Sequence, residues 1–252
     1  MVSCIYGRGV RKIEIVIVTG ASKGIGLSVL KQLQEKGKKV IGLARTMPAK
    51  ARHFVTVDLA ETEKLEGVLT AIIREHIVEA TSFTLINNAG TVEPIGLIGT
   101  VNSAEVSNAI SINLTAPMIL CNTFIRELEA FSGAKKIMNI SSGAGRKPYE
   151  GWGAYCTTKA GLDHFSRVIA VEQERATNPV EIVSIAPGII DTGMQETIRH
   201  SSEASFPLLN RFVEYKEQGL LSSAEETARN LISFLEKADF KTTGPIADIR
   251  HY

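Results

Sequence analysis

Short apolar runs alternate with longer amphipathic ones along most of the chain. Ile13 to Val18 is rich in β-branched residues and ends at Thr19-Gly20, the pattern of a strand covered on both faces. Residues 24–36 carry apolar side chains at 25, 27, 29, 30 and 33, a helical spacing that stops at Gly37. Val40 to Ala44 and His53 to Val57 predict a second and a third strand, followed by a helix over 62–78. Phe83 to Ile86 is a fourth strand running into Asn87-Asn88-Ala89-Gly90. A long helical stretch covers about 104–131, with a break expected near Pro117. Lys136 to Ile140, a helix over 155–176 and Val180 to Ile185 continue the alternation into Pro187-Gly188.

Strands alternating with helices of this length require a parallel sheet with right-handed crossovers. The fold class expected is α/β: a single-domain, Rossmann-type doubly wound parallel sheet of about seven strands with helices on both faces. Residues 1–12 precede it as an N-terminal extension, and the domain occupies 13–252. The rhythm breaks once, at 191–222, a polar, helix-prone segment. A last helix over about 223–237 and a short strand near 244–249 follow it. Ligands of doubly wound sheets sit outside the carboxyl ends of the strands, so 191–222 is expected to be a substrate lid.

Charge adds exclusions. The 252 residues hold 28 Lys+Arg against 27 Asp+Glu, a net +1, with 44% hydrophobic residues. That balance argues against a polybasic nucleic-acid binder and against a highly charged disordered chain. A phosphate would need a local site and not a general field. No apolar run reaches about 18 residues, so no membrane span is expected. Met1 to Lys12 is basic without an apolar stretch, so no secretory signal is expected. Cys4, Cys121 and Cys156 make no C-x-x-C pair and read as reduced thiols of a cytoplasmic protein. The five histidines are scattered, so no metal site is expected.

The first strand runs into Thr19-Gly20-Ala21-Ser22-Lys23-Gly24-Ile25-Gly26 and then a helix. Glycines there permit a tight turn and let backbone N–H groups face a pyrophosphate. The loop lacks Gly-Lys-Thr/Ser, which disfavours a triphosphate site. The second strand ends Leu43-Ala44-Arg45-Thr46. An acid there would hold the ribose hydroxyl of NAD, whereas Arg45, with Lys23 as a second cation, suits the 2′-phosphate of NADP. NADPH is the expected cofactor.

Tyr155 and Lys159 stand four apart near the start of a helix and share one face. A free phenol, pKa about 10, is a poor base at neutral pH. A cation ~5 Å away at an effective dielectric of ~20 would favour the phenolate by roughly 3 kcal/mol, or about two pKa units. Lys159 is therefore expected to draw Tyr155 down toward the range useful for proton transfer.

Thr19-Gly-x-x-x-Gly-Ile-Gly26, Asn87-Asn-Ala-Gly90, Asn113, Ser142, Tyr155/Lys159 and Pro187-Gly188 stand in the order and spacing of the short-chain dehydrogenase/reductases. The chain resembles that family over about 13–249. The resemblance implies that Tyr155 protonates the carbonyl oxygen and Ser142 hydrogen-bonds it. Lys159 would lower the Tyr155 pKa and hold the nicotinamide ribose, and Asn113 would hold a water linking Lys159 to solvent. Gly20, Ser22, Lys23, Gly24, Ile25 and Gly26 would form the cofactor loop. Asp58 would meet the adenine, Asn88 the adenosine ribose, and Ile190 and Thr192 the nicotinamide amide.

Asn139 to Gly161 and Ala186 to Gln195 further resemble bacterial benzil reductases of the (S)-benzoin-forming kind and, beyond them, sepiapterin reductases. The activity implied is NADPH-dependent reduction of one carbonyl of a 1,2-diketone. Trp152, with Tyr149, is placed to wall an aryl pocket, and Met194 opens the lid. Asp248 falls where sepiapterin reductases anchor the pterin. Cys156 points off the Tyr155/Lys159 face and is read as packing. The other readings are a pterin side-chain reductase, a 3-oxoacyl-carrier-protein reductase and a non-enzymatic NADP(H) sensor. The resemblance also implies a homodimer or homotetramer through the helices at 104–131 and 155–176, with no nucleic-acid or membrane partner. Cys121 and Phe124 fit either that interface or the core.

Overall fold

Ile15, Val16, Ile17 and Val18 are all buried, as befits a strand with no polar side. Alternate residues feed two cores. Ile15 and Ile17 join one cluster, and Val16 and Val18 join the other on the opposite face. The computed structural model describes residues 12–48 and 53–252, so the N-terminal extension and Cys4 lie outside the described residues except for Lys12. The strands are β1 (Ile13–Thr19), β2 (Lys39–Ala44), β3 (Phe54–Thr56), β4 (Ala80–Asn87), β5 (Ala134–Ile140), β6 (Glu181–Ala186) and β7 (Ile246–Asp248). All pair in parallel in the order β3-β2-β1-β4-β5-β6-β7. The expected seven-stranded doubly wound sheet is present, reversing direction between β1 and β4.

Helices α1 (Gly24–Glu35), α2 (Thr62–His76), α3 (Ser103–Ile110), α4 (Ala116–Glu127) and α5 (Gly153–Gln173) form the crossovers. The segment 191–222 folds as α6 (Gly193–Arg199) and α7 (Leu209–Glu217), before α8 (Ala224–Lys237) and the short α9 (Phe240–Thr243). The registers Thr19↔Leu43, Asn87↔Asn139, Ile140↔Ile185 and Ala186↔Asp248 keep the carboxyl ends of the strands level. That edge of the sheet is where the candidate side chains gather.

Two expectations become more definite. The break in the long helix precedes Pro117: Ser111–Thr115 is a π-turn in which the Ala116 N–H bonds Ser111 O. Proline has no N–H to give the Asn113 carbonyl four residues back, and it is tolerated in the first turn of α4. Read through, Ser103–Glu127 is 25 residues long with a window of mean hydropathy 1.2, enough by length and composition to cross a membrane. Here it is a core helix on one side, with Leu120, Cys121 and Phe124 fully buried against the sheet. Cys121 and Phe124 thus belong to the core of this chain. Burial drives the Cys121 thiol up to about 12 in spite of its bonds with Asn139 and Asn87.

Candidate active site

The turn after β1 is shaped by close approach. Gly20 has φ +67°, and a Cβ there would stand 2.9 Å from Ala89 Cα. A Cβ on Gly26 would collide with the Gly20 carbonyl oxygen and lie 2.5 Å from Asn88 Nδ2. Thr19 Oγ1 accepts from the Asn88 and Ala89 amides at 3.0 and 3.1 Å, and Asn88 Nδ2 donates to Thr19 O at 3.0 Å. Asn88 therefore staples the loop, an internal use that the resemblance did not suggest. The Gly20 amide donates to Leu43 O at 2.8 Å, which brings the loop against the end of β2, two residues before the exposed Arg45.

The start of α1 has no side-chain cap and no acidic residue in its first turn, so its amides and dipole stay available to an anion. A dinucleotide pyrophosphate fits this cradle, with Gly20, Ser22, Gly24, Ile25 and Gly26 around it and Arg45 at its rim. Lys23 is exposed, and a Cβ on Gly193 would lie 4.0 Å from its amine. Thr192 overlies the loop, with Cγ2 3.5 Å from where a Gly24 Cβ would be. Ile190, buried, pairs its backbone with Ser222. Asp58 Oδ1 accepts from the Ala60 amide at 3.0 Å and shapes the turn into α2.

The chemistry-bearing side chains meet beyond β5. Ser142 caps the 3₁₀ turn Gly143–Gly145, with its Oγ accepting from the Ala144 amide at 3.1 Å, and it is near enough to the Tyr155 phenol to pull its pKa down. Tyr155 and Lys159 are 7% and 4% exposed, and the Lys159 Nζ lies 5.8 Å from the Tyr155 ring centroid. That amine donates to Ile140 O at 2.8 Å. Burial draws Lys159 down to about 8, with Asp163 pushing it back up. The expected lowering of Tyr155 by Lys159 is not what governs here: burial pushes the phenol above its ordinary value, against Ser142, which pulls it down. At neutral pH the site holds a protonated tyrosine.

Asn113 sits in the π-turn, and its side chain is fully occupied. Oδ1 accepts from the Thr91 amide at 2.8 Å, and Nδ2 donates to Thr91 O at 2.8 Å and Thr158 Oγ1 at 3.3 Å. Pro117, four residues on, has no N–H to offer the Asn113 carbonyl.

Trp152 lies over Tyr155, with centroids 5.4 Å apart and edge to face. Phe206 stacks on the indole at 4.7 Å and 22°, while Phe212 and Tyr149 close two more sides at 5.2 and 5.5 Å. Trp152 Nε1 is buried with no hydrogen-bond partner among the described residues. Met194 is half-buried in the same cluster. Cys156 packs there as well, its thiol pushed up by burial. Asp248 does not present a free carboxylate. Arg250 donates to it from Nε at 2.8 Å and Nη2 at 2.5 Å, which holds the carboxyl below its usual range.

The sequence reading missed Thr91, Phe206, Phe212 and Arg146. None has a motif of its own, and each is brought in by tertiary packing. It also missed Asp163, which the spacing Tyr155, Lys159, Asp163 would have revealed.

Gly26→Ala should weaken nicotinamide-dinucleotide binding at least tenfold, about 1.4 kcal/mol, by forcing the loop off Asn88. Fluorescence titration of the reduced cofactor measures it, and unchanged affinity would contradict the cradle.

The short chain dehydrogenase family model matches residues 14–203. The chain is 40% identical over 243 residues to a protein of Bacillus subtilis (strain 168) named benzil reductase ((S)-benzoin forming), covering 95% of this chain and 99% of that protein. It is 31% identical to a sepiapterin reductase of Meriones unguiculatus, over 90% of this chain and 93% of that one. Among solved structures, the YIR035C short chain dehydrogenase/reductase of Saccharomyces cerevisiae superposes with a TM-score of 0.80 at 26% identity, covering 94% and 96% of the two chains. With its glycine cradle and buried Tyr155/Lys159 pair, this chain belongs to the short-chain dehydrogenase/reductase family of nicotinamide-dependent oxidoreductases.

Proposed function

We propose that the protein reduces one carbonyl of a 1,2-diketone with NADPH, in the manner of benzil to benzoin. The observation that carries the substrate class is the aromatic layer on Tyr155. Trp152, Tyr149, Phe206 and Phe212 pack on one another beside Tyr155 and make that end of the site apolar, the surroundings an aryl group would need. The unpartnered indole N–H is a donor for which a second carbonyl is a fitting acceptor. The 40% identity to a named benzil reductase supports the same reading.

Bound NADPH supplies the hydride. The glycine loop and the start of α1 would hold the pyrophosphate, Arg45 the 2′-phosphate, and Lys23 would be a second cation for the dinucleotide. Asn88, Asp58, Ile190 and Thr192 would border the remainder of the cofactor. Ser142 hydrogen-bonds the carbonyl oxygen and the phenol together, which aligns the proton path. Tyr155 Oη gives its proton to that oxygen. The resulting phenolate lies beside Lys159, whose ammonium stabilises it and returns a proton. Water held at the Asn113 carbonyl restores the proton on Lys159. Tyr155, raised by burial, has the proton that reduction needs already in place near neutral pH.

The segment 191–222 acts as the lid, through Met194, Phe206 and Phe212. Exposed Met118 on α4 and Val168 and Val171 on α5 support a homodimer or homotetramer through these helices. The free thiols Cys121 and Cys156 suit a cytoplasmic setting. With Asp248 engaged by Arg250, the pterin reading is the less favoured one.

Three outcomes are expected. With NADPH, turnover of benzil should exceed that of an acetoacetyl thioester and of sepiapterin; a preference for the thioester would replace the diketone reading. Tyr155→Phe should bind NADPH within about twofold of the parent yet lose 10²–10⁴-fold in kcat. Near-full turnover in that variant would remove the phenol from the mechanism. Arg45→Asp should move the NADPH/NADH ratio of kcat/KM at least tenfold toward NADH; an unmoved ratio would unseat Arg45.

A further inference from the structure

The helix that carries Tyr155 and Lys159 bears a third buried polar group at the same spacing. Asp163 follows Lys159 by four residues, as Lys159 follows Tyr155, so all three share one face of α5. Its side chain is 3% exposed. Oδ1 accepts from Ser184 Oγ on β6 at 2.7 Å, and Oδ2 accepts from Arg146 Nε at 3.1 Å. Arg146 directly follows the turn that Ser142 caps, and its Nη2 donates to Ala247 O on β7 at 2.8 Å. The turn is pressed against the helix: a Cβ on Gly145 would stand 2.8 Å from Lys159 C and 2.9 Å from Lys159 O. One carboxylate thus ties together the Ser142 turn, the Tyr155/Lys159 helix and two strands.

Net stability is a weak reason for such a pair, since desolvating both ions offsets most of their attraction. Lys159 supplies a stronger one. Its buried ammonium donates to a neutral carbonyl, Ile140 O, and the groups facing it from other elements are Asn113 and Gly90, which carry no charge. Among the described residues, the titratable groups around it are Tyr155 and Asp163 on its own helix, with Arg146 on the loop behind Asp163. Burial pulls Lys159 toward the neutral amine, and Asp163 is the group that opposes it.

We propose that Asp163 is a positioning residue for the proton transfer: its carboxylate keeps the Lys159 ammonium charged, and its bond to Arg146 holds the Ser142 turn against the helix. The pair is set up so that each function depends on the other. Removing the carboxylate deprives Lys159 of a counter-charge and leaves Arg146 as a bare cation nearby, and both changes favour the neutral amine.

Three variants separate this role from a merely structural one. Asp163→Asn removes the charge with little change of shape, Arg146→Gln removes the competing cation, and Ser184→Ala removes a hydrogen bond without altering charge. The first readout is the pH dependence of thermal unfolding of the unliganded protein, which stands apart from the diketone reading because it needs neither substrate nor cofactor. A lysine whose folded pKa lies below its unfolded value makes the unfolded chain bind more protons between the two. Its contribution therefore rises with pH across about 8 to 10.5. In Asp163→Asn the onset of that rise should move down by about one pH unit, in Arg146→Gln it should move up, and in Ser184→Ala it should stay. The alkaline limb of kcat/KM should move in parallel. A lowered Tm in all three variants with the onset and limb unmoved would overturn the proposal and leave a structural ion pair. Should Asp163→Asn fail to fold, an onset that does not differ between Arg146→Gln and Ser184→Ala would overturn it equally.

Discussion

A buried ammonium group sets the terms for the rest of this molecule. Lys159 is almost entirely withdrawn from water, and a charge in that position is costly unless its surroundings answer it. The surroundings do so piece by piece. Ile140 turns a carbonyl toward the amine at the end of β5, and Gly90 leaves the space that any side chain would fill. Asn113 is pinned to Thr91 close by, and Asp163 supplies the negative charge one helical turn away. These groups come from β5, the loop after β4, the π-turn and α5, so the parallel sheet with level carboxyl ends is what allows them to converge. Few other topologies would deliver so many chain ends to one point.

The same burial decides which partner in the Tyr155/Lys159 pair holds a proton at rest. Withdrawing both from water pushes the phenol up and the amine down to about 8, so two groups of nearly equal ordinary proton affinity move apart and the phenol holds its proton the more tightly. A phenolate left after proton donation is therefore reprotonated downhill from the neighbouring ammonium. Simple Coulomb reasoning in a uniform medium placed the whole effect on the tyrosine. The structure reverses the sign on the tyrosine and lowers the lysine, with desolvation the largest cause of both.

Legibility followed the range of the interactions. The β-branched runs, the glycine turn and the Tyr155/Lys159 spacing are local, and residues near in sequence cannot escape them. The seven strands and the shared face of Tyr155 and Lys159 were readable for that reason, whereas Ser142 and Asn113 came from the family resemblance alone. The break expected near Pro117 falls at Ser111–Thr115, just ahead of it, because the proline acts backward, on the carbonyl of Asn113. Phe206 and Phe212 could not be found, since their meeting with Trp152 is made by a fold-back of α6 and α7 that no periodicity encodes. Asn88 and Asp248 show a different gap. Their positions were readable, but not the internal hydrogen bonds that occupy them.

The stretch from Asp191 to Ser222 leaves and rejoins the scaffold at adjacent points. The Asp191 amide donates to Ser222 O at 2.9 Å and the Ser222 amide to Ile189 O at 3.1 Å, while Lys216 pairs with Asp191 across the opening. To the sheet, the whole excursion is equivalent to a single short bridge. Its two helices can be exchanged, shortened or redrawn without changing the register of any strand or the distance between Tyr155 and Lys159. The architecture thereby separates what must stay fixed from what is free to diverge, and new substrate preferences can arise by grafting at that one junction.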